Sequence, residues 1–346
     1  MKRILLDATT LDAEPSGTAT RLFAVVDALK VLGHTPIVWH GPAFDAVRKR
    51  RLPDVTHVID DDPPSGPWQR WRLGGDRIKT AFSRATADLM VTEALPWTGG
   101  ADLPFIYTLH DLRKLNAAWG TRLLWRQAAG EAFAVAKRIH TPTAVVADAV
   151  RREFGASTPV DVVPNVVVPR RLSEARSVDL PELPARFVVC VGHAEERKDF
   201  ALIATLAERL SARGIVMVRA GRGSVGGPLV DLGVVDDAVR DALFARSLAV
   251  VCPSRVEGFG LVGLEALACG GWVVASRIPA HEEVLGDAAS WFEPGDVESA
   301  TKETLAAVDA NAMEQAVRST QAQARAALFG PKRLEDALAA SLAAIR

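Results

Sequence analysis

The chain has 346 residues, of which 49% are hydrophobic and 24% are charged. At about 150 residues per domain, this length predicts roughly two domains. The composition excludes a fully disordered or collagen-like chain. Lys and Arg number 41 and Asp and Glu number 42, giving a net charge of −1. The lack of a basic excess argues against a dedicated nucleic-acid-binding protein.

Membrane and disulfide signals are weak. No apolar run approaches the roughly 20 residues needed to span a bilayer. The opening residues 1–7 hold three apolar residues before a charge, which predicts a first buried strand rather than a signal peptide. Cys190, Cys252 and Cys269 are far apart and lie in apolar segments. They are expected to be free core thiols in a reducing cytoplasm, not a disulfide framework or a zinc site.

The first half of the chain alternates short apolar runs with helical patterns. Its predicted elements, in chain order, are strand 4–6, helix 18–32, strand 36–39, strand 88–92, strand 105–109, helix 121–138 and strand 160–163. Alternation of this kind is typical of a parallel sheet with helices on both faces.

Two segments of the first half could contact a membrane surface or an acceptor molecule. Residues 60–76 hold a proline-rich acidic stretch followed by two Trp and two Arg residues. They are interpreted as a surface loop, with a patch that touches an acceptor or a membrane as the alternative. Helix 121–138 carries Arg122, Trp125, Arg126, Lys137 and Arg138, which suit an anionic surface as well as an ordinary solvated face.

A proline-rich stretch at 164–184 predicts a linker, and the α/β pattern restarts after it. The second-half elements are strand 187–192, helix 201–212, strand 215–220, strand 249–252 and strand 272–275. Ligands of open α/β sheets bind beyond the carboxyl ends of the strands. Two such domains facing each other would form a cleft.

Residues 221–226 match the G-x-G-x-x-G pattern of dinucleotide-binding proteins. That fingerprint needs a helix to open at its third glycine, so that backbone N–H groups face a pyrophosphate. Here Gly227-Pro228 and a short apolar run follow, which predict a turn and a strand. The pattern therefore does not predict a nicotinamide site.

The segment 257–265 is a stronger candidate for a ligand site. It links strand 249–252 to a helix through Glu257-Gly258-Phe259-Gly260-Leu261, and Glu265 follows eight residues after Glu257. Glycines at a helix N-terminus let backbone N–H groups approach a ligand, and the positive end of the helix suits a diphosphate. The spacing of about two helical turns could direct both carboxylates toward the cleft.

Two cations are predicted at the same sheet edge. Strand 187–192 ends at Gly192, and Arg197-Lys198 precede a helix that begins near Asp199. Two cations beside a helix end can neutralise a diphosphate.

These motifs carry a resemblance to a known family. The second half resembles the donor domain of retaining GT-B glycosyltransferases of family 4, the group 1 type. Gly192 with Arg197-Lys198 matches that family's glycine followed by Arg-Lys, and Glu257 to Glu265 matches its E-x7-E segment. The likeness covers most of residues 186–300.

The first half resembles the family more loosely. Gly17 with Arg21 resembles its first glycine loop and helix, His110-Asp111 its His-Asp strand end, and Pro164-Asn165 the Pro-Asn before its linker. Val166 stands where the family usually has Gly, and the Gly17 loop has one glycine instead of two. The usual Pro is also missing at positions 262 and 263.

The resemblance implies a GT-B fold: two Rossmann-like, doubly wound α/β domains that face a central cleft. The implied divisions are an acceptor-binding domain at 1–168, a linker at 169–185 and a donor domain at 186–325. A terminal helix at 326–346 would cross back onto the first domain.

The resemblance also implies residue roles for a retaining, metal-independent sugar transfer. The implied catalytic residues are His110, Arg197, Lys198 and Glu257. Donor binding would involve Gly17, Gly192, Arg197, Lys198, Glu257, Gly258, Phe259, Gly260, Leu261 and Glu265. Arg21 and Asp111 are expected on the acceptor side. The Asp60-Asp61-Asp62 string lies in the proline-rich stretch and is interpreted as solvated, so no metal ligands are predicted.

No cofactor is expected, and the implied donor is a nucleoside diphosphate sugar, with UDP- or GDP-sugars favoured. The acceptor would be a hydroxyl of a carbohydrate, a lipid-linked sugar or a small molecule, and the expected location is cytoplasmic, with contact at the inner membrane face left open. Two alternatives stay open: a sugar-nucleotide-binding protein without turnover and a sugar-nucleotide epimerase. No nucleic-acid partner is expected.

Overall fold

The computed structural model describes most of the chain as two compact units. The described residues are 1–11, 17–44, 51–61, 67–92, 103–111, 113, 119–155, 157–168, 172–180 and 182–345, with backbone alone for 67–74 and 172–173. One unit comprises Met1–Val166 and Pro331–Arg346, and the other comprises Val167–Gly330.

The first unit is built on a parallel sheet. Its strands are β1 (Arg3–Asp7), β2 (Thr35–His40), β3 (Thr56–Ile59), β4 (Leu89–Thr92), β5 (Phe105–Thr108), β6 (Arg138–Thr141) and β7 (Val160–Val162). Their spatial order is β3-β2-β1-β4-β5-β6-β7. The helices before the linker region are α1 (Gly17–Val31), α2 (Pro67–Ala85), α3 (Trp119–Val135) and α4 (Ala144–Phe154). The order reverses between β1 and β4, which is the doubly wound arrangement.

The second unit repeats this architecture. Its strands are β8 (Phe187–Val191), β9 (Val216–Ala220), β10 (Leu229–Asp231), β11 (Val250–Cys252), β12 (Val273–Ser276) and β13 (Ala289–Phe292), in the order β10-β9-β8-β11-β12-β13. Its helices are α5 (Leu172–Arg176), α6 (Phe200–Ser211), α7 (Asp237–Arg246), α8 (Leu261–Ala268), α9 (Pro279–Leu285), α10 (Val297–Asp309) and α11 (Ala312–Ala327). The predicted pair of Rossmann-like α/β domains is confirmed.

The central strands of the two sheets are nearly continuous apolar runs and are buried on both faces. In β12, for example, Val273, Val274 and Ala275 are fully buried. Helix starts are fixed by local side chains: Asn311 and Glu314 form a reciprocal capping box at the start of α11. The three cysteines are free and buried, as expected from their apolar surroundings.

The last helix, α12 (Pro331–Ala343), packs within the first unit. Leu334, Leu338 and Leu342 join the core cluster that also contains Leu22 of α1. The Ser341 hydroxyl donates to Asp161 Oδ2 at 2.7 Å. The helix begins at Pro331 rather than 326, because α11 and the turn after it complete the second unit.

The segment predicted as a linker at 169–185 contributes instead to the second unit, and this unit begins at Val167. Helix α5 packs on α7, with Arg176 Nε donating to the Ala245 carbonyl at 3.3 Å. Val167 N donates to the Phe329 carbonyl at 3.0 Å. The prolines suggested an unstructured connection, but an apolar residue such as Ala175 gives this stretch a face that the core can bury.

Three other predictions were wrong. Residues 60–76 were predicted as a loop, but helix α2 begins at Pro67, where the fixed φ of proline suits the first helical position. Trp125 was placed on a surface-facing side, but it is 6% exposed and packs edge-on against Phe154. Arg138 lies in β6 rather than in the preceding helix, and it pairs with Asp161.

Among the described residues, no helix combines the length and the apolar character needed to cross a bilayer.

Candidate functional site

The candidate site lies at the carboxyl edge of the second sheet, where β8 and β11 are neighbours. This is the point at which the strand order reverses, and open α/β sheets bind ligands there. After β8 the chain passes Gly192 and forms a 3₁₀ turn at Glu196–Lys198. After β11 it continues through Ser254 to Glu257. Arg255 N donates to the Arg197 carbonyl at 2.8 Å, which joins the two segments.

Glu257 binds both predicted cations. Its Oε2 accepts from Arg197 Nη1 at 3.0 Å, and its Oε1 accepts from Lys198 Nζ. The Ser254 hydroxyl donates to the same Oε1 at 2.8 Å. Arg197 Nε also pairs with Glu195 at 2.7 Å. The structure thus brings together three of the predicted catalytic residues in one cluster.

The electrostatics of this cluster keep Glu257 ionised. Burial opposes the charged form, but Lys198 and Arg197 outweigh it and lower the pKa of Glu257 to about 2. Burial lowers the pKa of the neighbouring His281. It raises the pKa of Cys252 to about 12, so this thiol is not a nucleophile.

We expect Glu257 to make stability acid-sensitive. Its pKa is near 4.5 when unfolded and about 2 when folded, so its stabilisation is complete above about pH 4.5 and is lost as the pH falls toward 2. The wild-type free energy of unfolding should therefore fall about 2 kcal/mol more between pH 5 and pH 3 than that of Glu257→Gln. Urea unfolding at the two pH values measures this difference.

An Asp309→Asn variant, altered at an exposed ion pair, serves as the control and should show the wild-type difference. Equal losses in wild type and Glu257→Gln would contradict the charge state assigned to Glu257.

Helix α8 begins beside Glu257 and presents its N-terminus at the same edge. Gly260 is its N-cap residue at φ +85°, where a Cβ atom would lie 2.5 Å from His281 Cδ2. Glycine is therefore required both by the backbone conformation and by the close approach of the imidazole. Leu261 opens the helix, whose first N–H groups lack intrahelical acceptors. The Phe259 ring is buried against Phe329. Only the backbone of Phe259 is therefore placed to contact a ligand.

A buried arginine shapes the loop after β8. Arg219 in β9 is fully buried and donates to the carbonyl of Gly192 at 2.9 Å and to the carbonyls of Arg222 and Gly223. It also pairs with Asp231 at 2.8 Å. The G-x-G-x-x-G pattern is therefore a structural turn, and it leads into β10 rather than into a helix, as predicted.

Glu265 lies one and a half turns into α8 and has a different cationic neighbour. Its Oε1 is 3.7 Å from Arg240 Nη2, and both side chains are largely buried. The sequence predicted Glu257 in the turn before the helix and Glu265 within the helix, with both carboxylates directed toward the cleft. In the structure Glu257 precedes the helix, and each carboxylate faces its own arginine or lysine.

The predicted residues of the first unit lie at or near strand and helix ends. His110 and Asp111 follow β5, and Asp111 Oδ1 accepts from Arg113 N at 3.0 Å. Gly17 is the exposed first residue of α1. The Arg21 guanidinium is buried and donates to the Val163 carbonyl and to Asn165 Oδ1. Arg21 therefore anchors the Pro-Asn segment rather than presenting a free cation to an acceptor.

Sequence reasoning missed several partners of the predicted residues. Ser254 donates to Glu257, and His281 lies against Gly260. Arg219 donates to the carbonyl of Gly192, and Arg240 lies beside the carboxylate of Glu265. Ser254 had a signal, because it lies two residues after the end of strand β11 and three residues before Glu257. The others come from distant strands and helices, and no local pattern marks them.

Family models match both units. A model described as glycosyltransferase family 4 matches residues 15–171, and one described as glycosyl transferases group 1 matches residues 232–324. The chain belongs to the group 1 glycosyltransferases. The membership of family 4, the group 1 type, that was expected from the Arg-Lys and E-x7-E motifs is thereby confirmed.

Individual relatives of this group 1 glycosyltransferase differ in how much they share with it. The O-antigen chain mannosyltransferase B of Escherichia coli is 40% identical over 84 residues, which is 24% of this chain and 22% of that protein. The chain thus matches well under two thirds of that relative. The D-inositol 3-phosphate glycosyltransferase of Saccharomonospora viridis is 28% identical over 336 residues, covering 80% of this chain and 77% of that protein.

A solved structure extends the likeness to the whole fold. The Anabaena protein HepE, solved in complex with UDP and glucose, superposes with a TM-score of 0.75 over 99% of this chain and 100% of that chain, at 19% identity. At this identity the match shows the GT-B fold alone. The fold class expected from the sequence is confirmed.

Proposed function

We propose that this group 1 glycosyltransferase moves a sugar from a nucleoside diphosphate sugar to a hydroxyl acceptor, with retention of anomeric configuration and without a metal. One observation carries the proposal. Arg197 and Lys198 converge on Glu257 beside the N-terminus of α8, at the switch point of a doubly wound sheet. The family membership and the UDP complex of the fold relative support a diphosphate donor.

The second-unit residues have distinct roles in this proposal. Arg197 and Lys198 bind the diphosphate and stabilise its charge as it leaves, which is the task a metal would otherwise perform. Backbone N–H groups from Gly258 to Leu261 bind a phosphate at the positive end of α8. Glu257 accepts hydrogen bonds from the donor sugar, and Glu265 accepts them from the ribose hydroxyls.

The reaction would be same-face attack of the acceptor hydroxyl on the anomeric carbon as the diphosphate leaves. The transition state has oxocarbenium character, and the leaving phosphate accepts the hydroxyl proton. The roles of His110 toward the sugar and of Arg21 and Asp111 toward the acceptor stay predictions. For Arg21, burial favours an indirect role through the Val163–Asn165 segment.

A thermal-shift panel in EDTA tests the donor and the metal independence together. It compares UDP, GDP, ADP, dTDP, CMP and NAD, and a ligand at 100 times its Kd stabilises a protein by about 2.7 kcal/mol. We expect one nucleoside diphosphate, UDP or GDP, to raise the Tm by several degrees without metal. A shift from NAD alone, or a shift that appears only with added Mg²⁺, would contradict the proposal.

Product analysis then separates transfer from the two alternatives. With the shifting donor and a panel of sugar and lipid-linked acceptors, ¹H NMR should show a new glycosidic bond with the donor's anomeric configuration. An inverted linkage would overturn retention. Formation of an epimerised sugar nucleotide or an epimerised free sugar without an acceptor would indicate an epimerase, and binding without any product would indicate a protein without turnover.

We further propose peripheral contact with an anionic membrane at the start of helix α3, with the enzyme in the cytoplasm at the inner membrane face. Trp119, Leu123 and Leu124 are 76%, 52% and 54% exposed, and exposed Arg122 lies among them. Apolar side chains that insert beside a cation are typical of helices that lie at lipid interfaces. This surface keeps Arg122 from the set expected from the sequence, but its apolar residues replace the buried Trp125.

Co-sedimentation with vesicles measures this contact. We expect binding to phosphatidylglycerol vesicles, weak binding to phosphatidylcholine vesicles, and at least tenfold weaker binding of Trp119→Ser/Leu123→Ser to phosphatidylglycerol. Met313→Ser/Val317→Ser is the matched control, since these exposed apolar residues lie on α11. Wild-type binding by the α3 variant would contradict the assigned surface.

A further inference from the structure

Helix α7 contributes a buried arginine to the candidate donor site. Arg240 has a side chain only 17% exposed, and its guanidinium lies between three carboxylates. Nη1 is 2.8 Å from Asp237 Oδ1, while Nη2 is 3.0 Å from Asp241 Oδ1 and 3.7 Å from Glu265 Oε1. One nitrogen therefore connects α7 to the carboxylate on α8.

The charges explain why the cation is needed there. Glu265 and Asp241 have side chains only 13% and 9% exposed, and two buried carboxylates near each other are costly without a cation between them. Burial works against the charge of Arg240, but Glu265, Asp237 and Asp241 outweigh it and raise its pKa above the ordinary value. Glu265 is the largest of these carboxylate contributions.

Arg240 acts on Glu265 through its charge rather than through a direct hydrogen bond. A separation of 3.7 Å is a charge contact rather than a hydrogen bond, so it does not consume a lone pair of Glu265 in the way a direct bond would. Arg240 Nε is buried and has no hydrogen-bond partner among the described residues.

We propose that Arg240 is a positioning residue that holds Glu265 in the orientation and charge state needed to accept hydrogen bonds from the ribose hydroxyls of the donor. The inference rests on the proposed function, which assigns Glu265 to the ribose. The inference adds Arg240, which lies on α7 and outside the strand-turn-helix motif, as a residue that contributes to ribose recognition through Glu265.

The test compares nucleotides with and without the ribose diol. Isothermal titration calorimetry on the full chain gives the Kd of UDP and of 2′,3′-dideoxy-UDP, with the GDP pair run in parallel. A charged acceptor of this kind gives about a 10- to 100-fold preference for the ribonucleotide. We expect Arg240→Met to reduce that preference to below about fivefold by weakening ribonucleotide binding, and to leave dideoxynucleotide binding within about twofold.

Two further variants separate positioning from folding. Arg240→Lys keeps a cation between the carboxylates, so it should retain part of the ribonucleotide preference that Arg240→Met loses. Arg246→Met, on the same helix, should show the full wild-type preference for the ribonucleotide. Arg240→Met combined with Glu265→Gln should show no smaller preference than Glu265→Gln alone, because the two side chains act as one unit.

The outcomes distinguish this inference from the proposed function. If Glu265→Gln abolishes the ribose preference and folded Arg240→Met retains it, Arg240 does not position Glu265 and the inference fails while the proposed function stands. If Glu265→Gln itself retains the preference, the ribose assignment fails and the inference falls with it. If Arg240→Met weakens the binding of both nucleotides equally, the ribonucleotide preference is unchanged; that result would indicate general damage to the site and would also overturn the inference.

Discussion

Replacing Lys198 with Ala should lower turnover by about 100- to 1000-fold, the range measured when one donor to a developing negative charge is removed. Lys198 Nζ and Arg197 Nη1 both lie on Glu257, at the start of the segment that leads into α8. The charge on the diphosphate grows as the sugar bond breaks, so a cation at this place stabilises the transition state more than the ground state. The loss should therefore appear in kcat rather than in KM.

The measurement needs no known acceptor. Release of nucleoside diphosphate from the donor by slow hydrolysis reports the same bond cleavage, and the donor is the one that gives the largest thermal shift. Arg197→Ala should show a loss of similar size, and the double variant should lose less than the product of the two, because both cations act on one group.

Lys302→Ala is the matched control, because this lysine of α10 is exposed and lies in the same unit. Circular dichroism and the Tm establish that each variant is folded, since Lys198→Ala also leaves Glu257 with one cation fewer. Wild-type hydrolysis rates in folded Lys198→Ala and Arg197→Ala would overturn the assignment of the diphosphate to these two residues.

The second-unit site could be predicted because its residues belong to two short segments with local signals. Gly192 to Asp199 and Glu257 to Glu265 each run from the end of a strand into a helix. Parallel strands bring their carboxyl ends to one edge, so the strand order β8-β11 joins the two segments without further information. The ion pairs of Glu257 follow from that topology.

The first unit could be predicted less well. Helix α2 was missed because the preceding acidic and proline-rich residues favour a loop and Pro67 was counted with them, although proline is well suited to the first turn of a helix. Trp125 was placed on the wrong face because its burial depends on packing against Phe154 of α4, which no local pattern around Trp125 reveals. The first case was a local signal read wrongly, whereas tertiary packing decides the second.

The two arginines that support the site, Arg219 and Arg240, could not be predicted from sequence patterns. Arg219 acts on Gly192, 27 residues away, and Arg240 acts on Glu265 from a neighbouring helix. An arginine inside an apolar strand carries no signal for the loop it will bind, since its partners are backbone carbonyls that every residue has. Such residues can be identified only from the three-dimensional structure.

Arg219→Met should destabilise the second unit by about 3–5 kcal/mol, the cost of breaking a buried charged network by removing one partner. The fully buried guanidinium binds Asp231 and the carbonyls of Gly192, Arg222 and Gly223. Methionine fills much of the same volume, so the loss measures the polar contacts rather than a cavity. Four acceptors would lose their donor, and three of them are backbone groups of two tight loops.

Urea unfolding of the full chain, followed by fluorescence and circular dichroism, measures this loss. Arg213→Met is the control, because Arg213 forms an ion pair with Asp309 in which both side chains are about half exposed, and such a pair contributes under about 1 kcal/mol. The Arg219 change should also weaken nucleoside diphosphate binding, since the loop that starts at Gly192 carries Arg197 and Lys198. A stability within 1 kcal/mol of wild type would show that the glycine turn at 221–223 holds its shape unaided. In that case the conformations of Gly221 and Gly223, both at positive φ, would be sufficient to set the edge of the site.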